Sequence, residues 1–305
     1  MWGRDRPGCL IVLIDQSGSM SEQFEAGSDA RSKAEISATV VNRALQDLIR
    51  EATSKSAILD RFEVAVLGYG GDGVRSAFGG TLTGVRLAAA SELSANPLRV
   101  EKRETETLTQ AGDLVQRRVQ FRVWLDPVAD GPTPMCAALD TAYELASGWA
   151  ENHLGSFPPI VLNVTDGLPT DGGADLAGLF AAARRLGEVE TRDGRLLFWN
   201  CHITVDGKPR VLWPNAADLV PHGLYESALF ETSSEIPETL RDVFYVTTNQ
   251  RLGTGTRGYV LNADQVALSK FLTFGSRVGM APRVDLALSP GSASDQPAGE
   301  RYSGR

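Results

Sequence analysis

The chain has 305 residues, 42 % apolar and 22 % charged, with 31 glycines and 15 prolines, enough for one large globular domain or at most two. A net charge of −8 and a pI near 5.1 argue against a general binder of nucleic acid or of anionic membranes. Its three cysteines, Cys9, Cys136 and Cys201, are odd in number, far apart and set among apolar or small residues. They read as free, buried thiols of a reducing compartment and exclude a disulfide framework.

The polar start "MWGRDRPG" does not read as a secretory signal, and no run reaches the ~18 uninterrupted apolar residues of a spanning helix. A cytoplasmic protein without membrane contact is therefore expected.

In chain order, the first predicted element is a strand over Leu10–Ile14, apolar on both faces and ending at Asp15. Ile36, Val40, Val41, Ala44 and Leu48 then share one helical stripe. A second strand over Phe62–Leu67 runs into the glycine-rich Gly68–Gly73, which lacks both a P-loop lysine and dinucleotide spacing. That segment is expected to be a loop at the rim of a site. Residues 97–125 interrupt the pattern. Val115, Val119, Phe121, Val123 and Leu125 alternate after a turn-like Gln110-Ala111-Gly112-Asp113, which predicts a β-hairpin insertion.

A second helical stripe follows, over Ala138, Leu139, Ala142, Leu145, Ala146 and Trp149. Next come a strand over Ile160–Val164 and a helix through Leu176, Leu179, Phe180, Ala183 and Leu186. Strands are expected over Leu196–Ile203 and Val243–Thr247, with a hairpin turn at Asp206-Gly207. From Ser289 to Arg305 the chain is Ser/Gly/Pro-rich and is expected to be a disordered tail, leaving one domain over residues 1–288. Buried strands alternating with helices predict a mainly parallel sheet covered on both faces, with ligands gathered at the carboxyl ends of the strands.

Two such ends carry carboxylates, Asp15 in "CLIVLIDQSGSM" and Asp166 in "IVLNVTDGLPTDGG". After Asp15 a hydroxyl follows at every second position, Ser17 and Ser19, and alternate residues of an extended chain project the same way. Gly18 between them suggests a tight turn. Thr133 in "ADGPTPMCAAL" offers another hydroxyl just before a helix. Carboxylates and hydroxyls with room for water make a hard oxygen cage suited to Mg²⁺ or Mn²⁺ and not to zinc, which prefers nitrogen and sulfur.

The order Asp15-x-Ser17-x-Ser19, then Thr133 flanked by Gly and Pro, then Thr165-Asp166-Gly167 resembles the von Willebrand factor A domain with its metal-ion-dependent adhesion site. The resemblance spans residues 8 to 280 and implies a Rossmann-like α/β fold. It implies a Mg²⁺ or Mn²⁺ site at Asp15, Ser17, Ser19, Thr133 and Asp166. The serines and the threonine would contact the ion directly or nearly so, and the aspartates would act largely through water. It further implies a protein partner that supplies an Asp or Glu to the open coordination position. The absence of terminal cysteines and the 97–125 insertion make the chain look like the bacterial cytoplasmic branch, similar to proteins encoded beside tellurite-resistance, kinase and phosphatase genes.

Other residues have plainer expectations. Asp171 and Asp175 are expected to cap or begin the Leu176 helix, Thr133 is able to cap the helix after it, and Asp126 and Asp130 are expected to be solvated. His153, His202 and His222 lie far apart in sequence and are expected away from the site, and Cys136 reads as a small core residue. Arg99, Lys102, Arg103, Arg117, Arg118 and Arg122 make the hairpin either a solvated face or a docking surface.

Three functions compete with metal-dependent recognition. They are a metal-dependent phosphohydrolase, a metal-free scaffold and a subunit of an ATPase-driven remodelling complex. Ser17, two positions after Asp15, argues against the first, which needs a second acid/base carboxylate. A non-catalytic binder is therefore expected, of unspecified oligomeric state and partner.

Overall fold

A computed structural model describes residues 2–24, 30–54, 57–108, 114–204, 209–215 and 223–279, with the backbone alone over 105–108 and 114–117. The predicted turn at 110–113, the Asp206-Gly207 turn, His222, the Arg117 side chain and the 289–305 tail lie outside the described residues.

The architecture is α/β and Rossmann-like. The strands of the central sheet and of the hairpin are β1 (Gly8–Gln16), β2 (Phe62–Gly70), β3 (Gly73–Ser76), β4 (Ala88–Ala89), β5 (Arg99–Leu108), β6 (Leu114–Val123), β7 (Ile160–Thr165), β8 (Leu197–Ile203), β9 (Val211–Leu212) and β10 (Tyr259–Ala263), beside two small two-stranded sheets, Thr53–Ser54 with Ala57–Ile58 and Glu190–Thr191 with Gly194–Arg195. The helices are α1 (Lys33–Ala52), α2 (Ala90–Ala95), α3 (Met135–Asn152), α4 (Ala177–Leu186), α5 (Leu224–Thr232), α6 (Arg241–Thr248) and α7 (Gln265–Arg277). The central sheet runs β9-β10-β8-β7-β1-β2-β3, with β4 also pairing β2. β10, β8, β7, β1 and β2 are mutually parallel, and the antiparallel β9, β3 and β4 flank them.

β1 lies at the centre and all nine of its residues are buried. Leu10, Val12 and Ile14 face the core formed with α1, α6 and α7, while Cys9, Ile11 and Leu13 face the core formed with α3, α4 and α5. Burial on both faces is why its sequence is a continuous apolar run and not an alternation. All three cysteines are free and buried.

One expected strand is a helix. Val243–Thr247 lies inside α6, where Phe244 is fully buried while Tyr245 and Val246 are 45 % and 77 % exposed, a helical and not a two-residue period. Its β-branched residues are accommodated because the Thr247 and Thr248 hydroxyls donate to the carbonyls of Val243 and Phe244 one turn back. The fifth parallel strand is instead β10, fully buried and one element later.

The predicted hairpin is present as a separate two-stranded sheet, β5 pairing β6 from Arg99 opposite Val123 to Leu108 opposite Leu114. It docks on α1 through side-chain amides. Gln46 donates to the Gln120 carbonyl at 3.2 Å and accepts from the Arg122 amide at 3.0 Å. Asn42 donates to the Leu125 carbonyl at 2.9 Å and accepts from the Trp124 amide at 2.8 Å.

At the amino end of β1, the buried Trp2 lies between Gly8 and Gly279, so closely that a Cβ on either glycine would overlap its ring. The Trp2 amide donates to the Gly279 carbonyl at 2.6 Å.

Among the described residues, no helix is long and apolar enough to cross a membrane.

Candidate functional site

β1 has β2, the next long strand in sequence, on one side and β7 on the other, so the carboxyl ends of β1 and β7 flank a topological switch point. Asp15 sits there, fully buried. Its Oδ1 accepts the Ser17 amide at 2.9 Å and its Oδ2 accepts the Thr165 hydroxyl at 2.8 Å. The chain then enters a short 3₁₀ turn, Gly18–Ser21, with Ser17 at its N-cap. The Ser17 and Ser19 hydroxyls stand 3.1 Å apart, and Ser19 donates to Asp166 Oδ1 at 2.7 Å. Asp15, Ser17, Ser19 and Asp166 thus form one hydrogen-bonded cluster.

The loop bearing Thr133 is tied to both neighbours. The Gly18 amide donates to the Gly131 carbonyl at 3.0 Å, the Thr133 amide donates to Thr170 Oγ1 at 3.1 Å, and the Thr170 amide donates to the Thr133 carbonyl at 2.9 Å. Thr133 is therefore pinned between the Ser17 and Asp166 loops and is itself buried. The glycine-rich turn after β2 packs alongside, its Gly71 amide donating to the Asp130 carbonyl at 2.8 Å. Glycine is required at Gly131, where φ is 69° and a Cβ would meet Gly71 Cα at 2.4 Å. Gly18 has ordinary backbone angles and room for a Cβ, so the turn after β1 does not depend on it.

Two capping expectations are corrected. Asp171 caps α3 and not α4, its carboxylate accepting the Cys136 and Ala137 amides at 3.1 and 2.9 Å. Thr133 makes no side-chain cap, because Pro134 holds the N-cap position and Asp171 meets the first amides. Asp175 does sit at the start of α4, accepting the Ala177 amide at 3.2 Å.

The cluster also contains a residue that no motif indicated. Lys33, the first residue of α1, is buried, and its Nζ lies 2.8 Å from Asp166 Oδ2 and 2.6 Å from Glu22 Oε2. The three motif loops contain no lysine, and this one arrives from a separate element. Its only sequence signal is a lysine at the start of a helix, where a positive charge opposes the helix dipole.

Electrostatics follow from this geometry. Burial pushes the Asp15 carboxyl up to about 6, hydrogen bonds from Ser17 and Thr165 hold it back, and Asp166 adds to the rise. Burial alone would lower the Lys33 ammonium, but hydrogen bonds to Asp166 and Glu22 outweigh it and raise the group. Burial, aided by Asp15, raises the hydroxyls of Tyr69 and Tyr225 well above their ordinary value.

Beneath the cluster lies a polar floor that sequence reading also missed. Tyr69 donates to Asn163 Oδ1 at 2.9 Å, Asn163 to Asn200 Oδ1 at 3.0 Å, and Asn200 to Ser233 Oγ at 3.0 Å. An asparagine inside each of two apolar runs was the available signal. His202 stands nearer than its place in the sequence suggests. It is the register neighbour of Thr165, with its ring edge-on to Tyr225, whose hydroxyl is 3.3 Å from Thr165 Oγ1.

Oxygens bound to Mg²⁺ at about 2.1 Å stand roughly 3.0 Å apart along an octahedral edge, close to the Ser17–Ser19 separation. The donor set of carboxylates and hydroxyls thus fits a hard divalent cation. Among the described residues there is no group of three or more His, Cys, Asp or Glu side chains able to hold a metal, so any ion here would rely on the hydroxyls.

Fold and cluster together define an α/β protein with an oxygen-rich cluster at the switch point of a parallel sheet. No protein-family model matches the chain, and no curated protein matches it. Among solved structures it is similar over 90 % of its length to proximal thread matrix protein 1 of the mussel byssus, at 14 % identity and a TM-score of 0.42. The chain spans 48 % of that protein's length. It is also similar to an uncharacterized membrane-spanning protein from Vibrio fischeri, at 15 % identity and a TM-score of 0.21, over 85 % of this chain and 93 % of the other.

Proposed function

We propose that the protein is a metal-dependent recognition module of the von Willebrand factor A type, binding Mg²⁺ or Mn²⁺ at Asp15, Ser17, Ser19, Thr133 and Asp166. The observation that carries this reading is the Ser17–Ser19–Asp166 oxygen cluster, spaced like ligands of a small divalent ion and joined to Asp15. A bound ion would supply a positive centre able to accept one carboxylate from outside. Ser17, Ser19 and Thr133 would offer neutral oxygens to it. Asp15 would orient Ser17 through its amide, and Asp166 would orient Ser19 through its hydroxyl. Neutral ligands leave the ion short of negative charge, which favours an Asp or Glu of a protein partner in a bacterial cytoplasmic stress, signalling or defence system. The hydroxyls serve as ligands and both carboxylates are engaged in orienting them, so the module binds and does not catalyse.

The test is affinity capture with and without EDTA, alongside an Asp15→Ala control. Mg²⁺-dependent partners lost with EDTA and in the control support the reading, as does the absence of phosphatase, nuclease or peptidase turnover. Metal-dependent turnover abolished by Asp15→Ala overturns it. A metal-free scaffold is the second reading, favoured by one observation: the Lys33 ammonium already neutralises Asp166. Thermal stability indifferent to Mg²⁺ and Mn²⁺ decides for the scaffold.

A further inference from the structure

Lys33 is held in place twice. Its amide donates to the Glu22 carbonyl at 3.0 Å, and its ammonium reaches both Glu22 and Asp166. It begins a helix whose capping box, Ser32 with Glu35, is complete without it, so helix formation does not call for a lysine there. A buried cation at a helix amino terminus is disfavoured by desolvation and by the helix dipole together, and persists only against specific anions. Those anions are asymmetric. Asp166 turns Oδ1 to Ser19 and Oδ2 to Lys33, so one carboxylate is divided between the oxygen cluster and the ammonium. Glu22 is largely exposed, whereas the Asp166 side chain is completely buried.

We infer that Lys33 is the resident cation of the oxygen cluster: its ammonium fixes the orientation of Asp166, keeps the buried carboxylates compatible when no divalent ion is bound, and weakens the affinity for such an ion. The metal half of this inference rests on the proposed function; the stabilising half does not. A unit charge about 4–6 Å from an ion in a partly desolvated site alters binding by an order of magnitude or more. With Lys33 present, site occupancy follows the free ion concentration. Without it, the site binds an ion tightly and depends on it to stay folded.

The experiment compares the full chain with Lys33→Met, which keeps the apolar stem, and Lys33→Arg, which keeps the charge. Thermal melts in EDTA and in a MgCl₂ series are read beside calorimetric titration with MgCl₂. Lys33→Met should melt lower in EDTA, bind Mg²⁺ at least tenfold more tightly, and recover its melting temperature as Mg²⁺ is added. Lys33→Arg should restore both native readings. Unchanged or weaker Mg²⁺ binding by Lys33→Met, with the same loss of stability in EDTA and in Mg²⁺, overturns the inference and leaves an ordinary structural ion pair.

If no variant binds Mg²⁺ or Mn²⁺, the metal reading and the metal half of the inference fall together. The EDTA arm then decides the rest: adding Asp166→Asn to Lys33→Met should recover stability, and no recovery refutes the resident cation. Should Lys33→Met fail to fold, the exposed Glu22→Gln change decides. It leaves the ammonium undivided on Asp166 and should weaken Mg²⁺ binding severalfold; unaltered affinity overturns the inference.

Discussion

At Asp15 the carboxylate is buried with two hydrogen-bond donors but, among the described residues, no cation in direct contact, and its raised pKa reflects the cost of holding a charge there. The folded chain takes up a proton at Asp15 more readily than the unfolded chain does. Its effect on metal-free stability is therefore most favourable below about pH 4 and declines as the pH rises through about 6. Asp15→Asn keeps the shape and removes the charge. In EDTA at pH 7 it should stabilise the fold by up to about 3 kcal/mol, the worth of two pKa units. It should also flatten the slope between pH 4 and 6 and lose any response to Mg²⁺. Urea titrations at pH 4.5 and 7 check this, and a less stable variant at pH 7 sinks it.

Cys136 is pushed up to about 12, by burial first and then by the charge of Asp171 beside it. At pH 8 roughly one thiol in ten thousand would be ionised. Iodoacetamide should thus label native Cys136 orders of magnitude more slowly than the unfolded chain, and Asp171→Asn should speed it. Mass spectrometry of timed samples reads both. Asp15, Ser17 and Ser19 were legible because they are adjacent in sequence, and local backbone geometry alone aims them together. Lys33 and Asp171 were not, because each acts on an element far along the chain.

Among the elements, α6 shows where local preference misleads. Val243 and Thr247 favour strands, yet the segment lies over α7 with Phe244 against Phe274 and Trp213, and packing decides. The hairpin was legible from its two-residue alternation, but not its anchorage. Asn42 and Gln46 on the α1 flank serve as the hairpin's hydrogen-bond partners, and polar residues on a helix face give no sign of that from sequence. Asn42→Ala would leave the buried Trp124 amide and Leu125 carbonyl unpaired and should cost about 3 kcal/mol. Gln46→Ala, at the exposed edge, should cost less than about 1 kcal/mol. Paired denaturant melts compare them, and equal losses would place the anchor elsewhere.

For the molecule as a whole, the parallel sheet and its two faces were legible because strands buried on both sides leave continuous apolar runs. Strand order was not, since nothing local in β1 states that β7 lies beside it. That neighbour relation brings Asp166 to Asp15. The same sheet separates the oxygen cluster from the place where Trp2 meets Gly279. Trp2 and Gly279 meet at the amino end of β1, while Asp15 stands near its carboxyl end, seven residues beyond Gly8 or about 23 Å along the strand. A circular permutant joining residues 2 and 279 by a short glycine linker, opened between Gly71 and Asp72, should fold with the native melting response to Mg²⁺. Loss of folding would show that Trp2 needs a free entry to its slot.

The Trp2 clamp also makes the unit a one-ended plug. Any polypeptide spliced to either end of residues 2–279 leaves from the same pole, so a fused neighbour or a surface tether would attach at the end of β1 opposite the oxygen cluster, and tension between the two ends would load the Trp2 ring and spare the carboxylates.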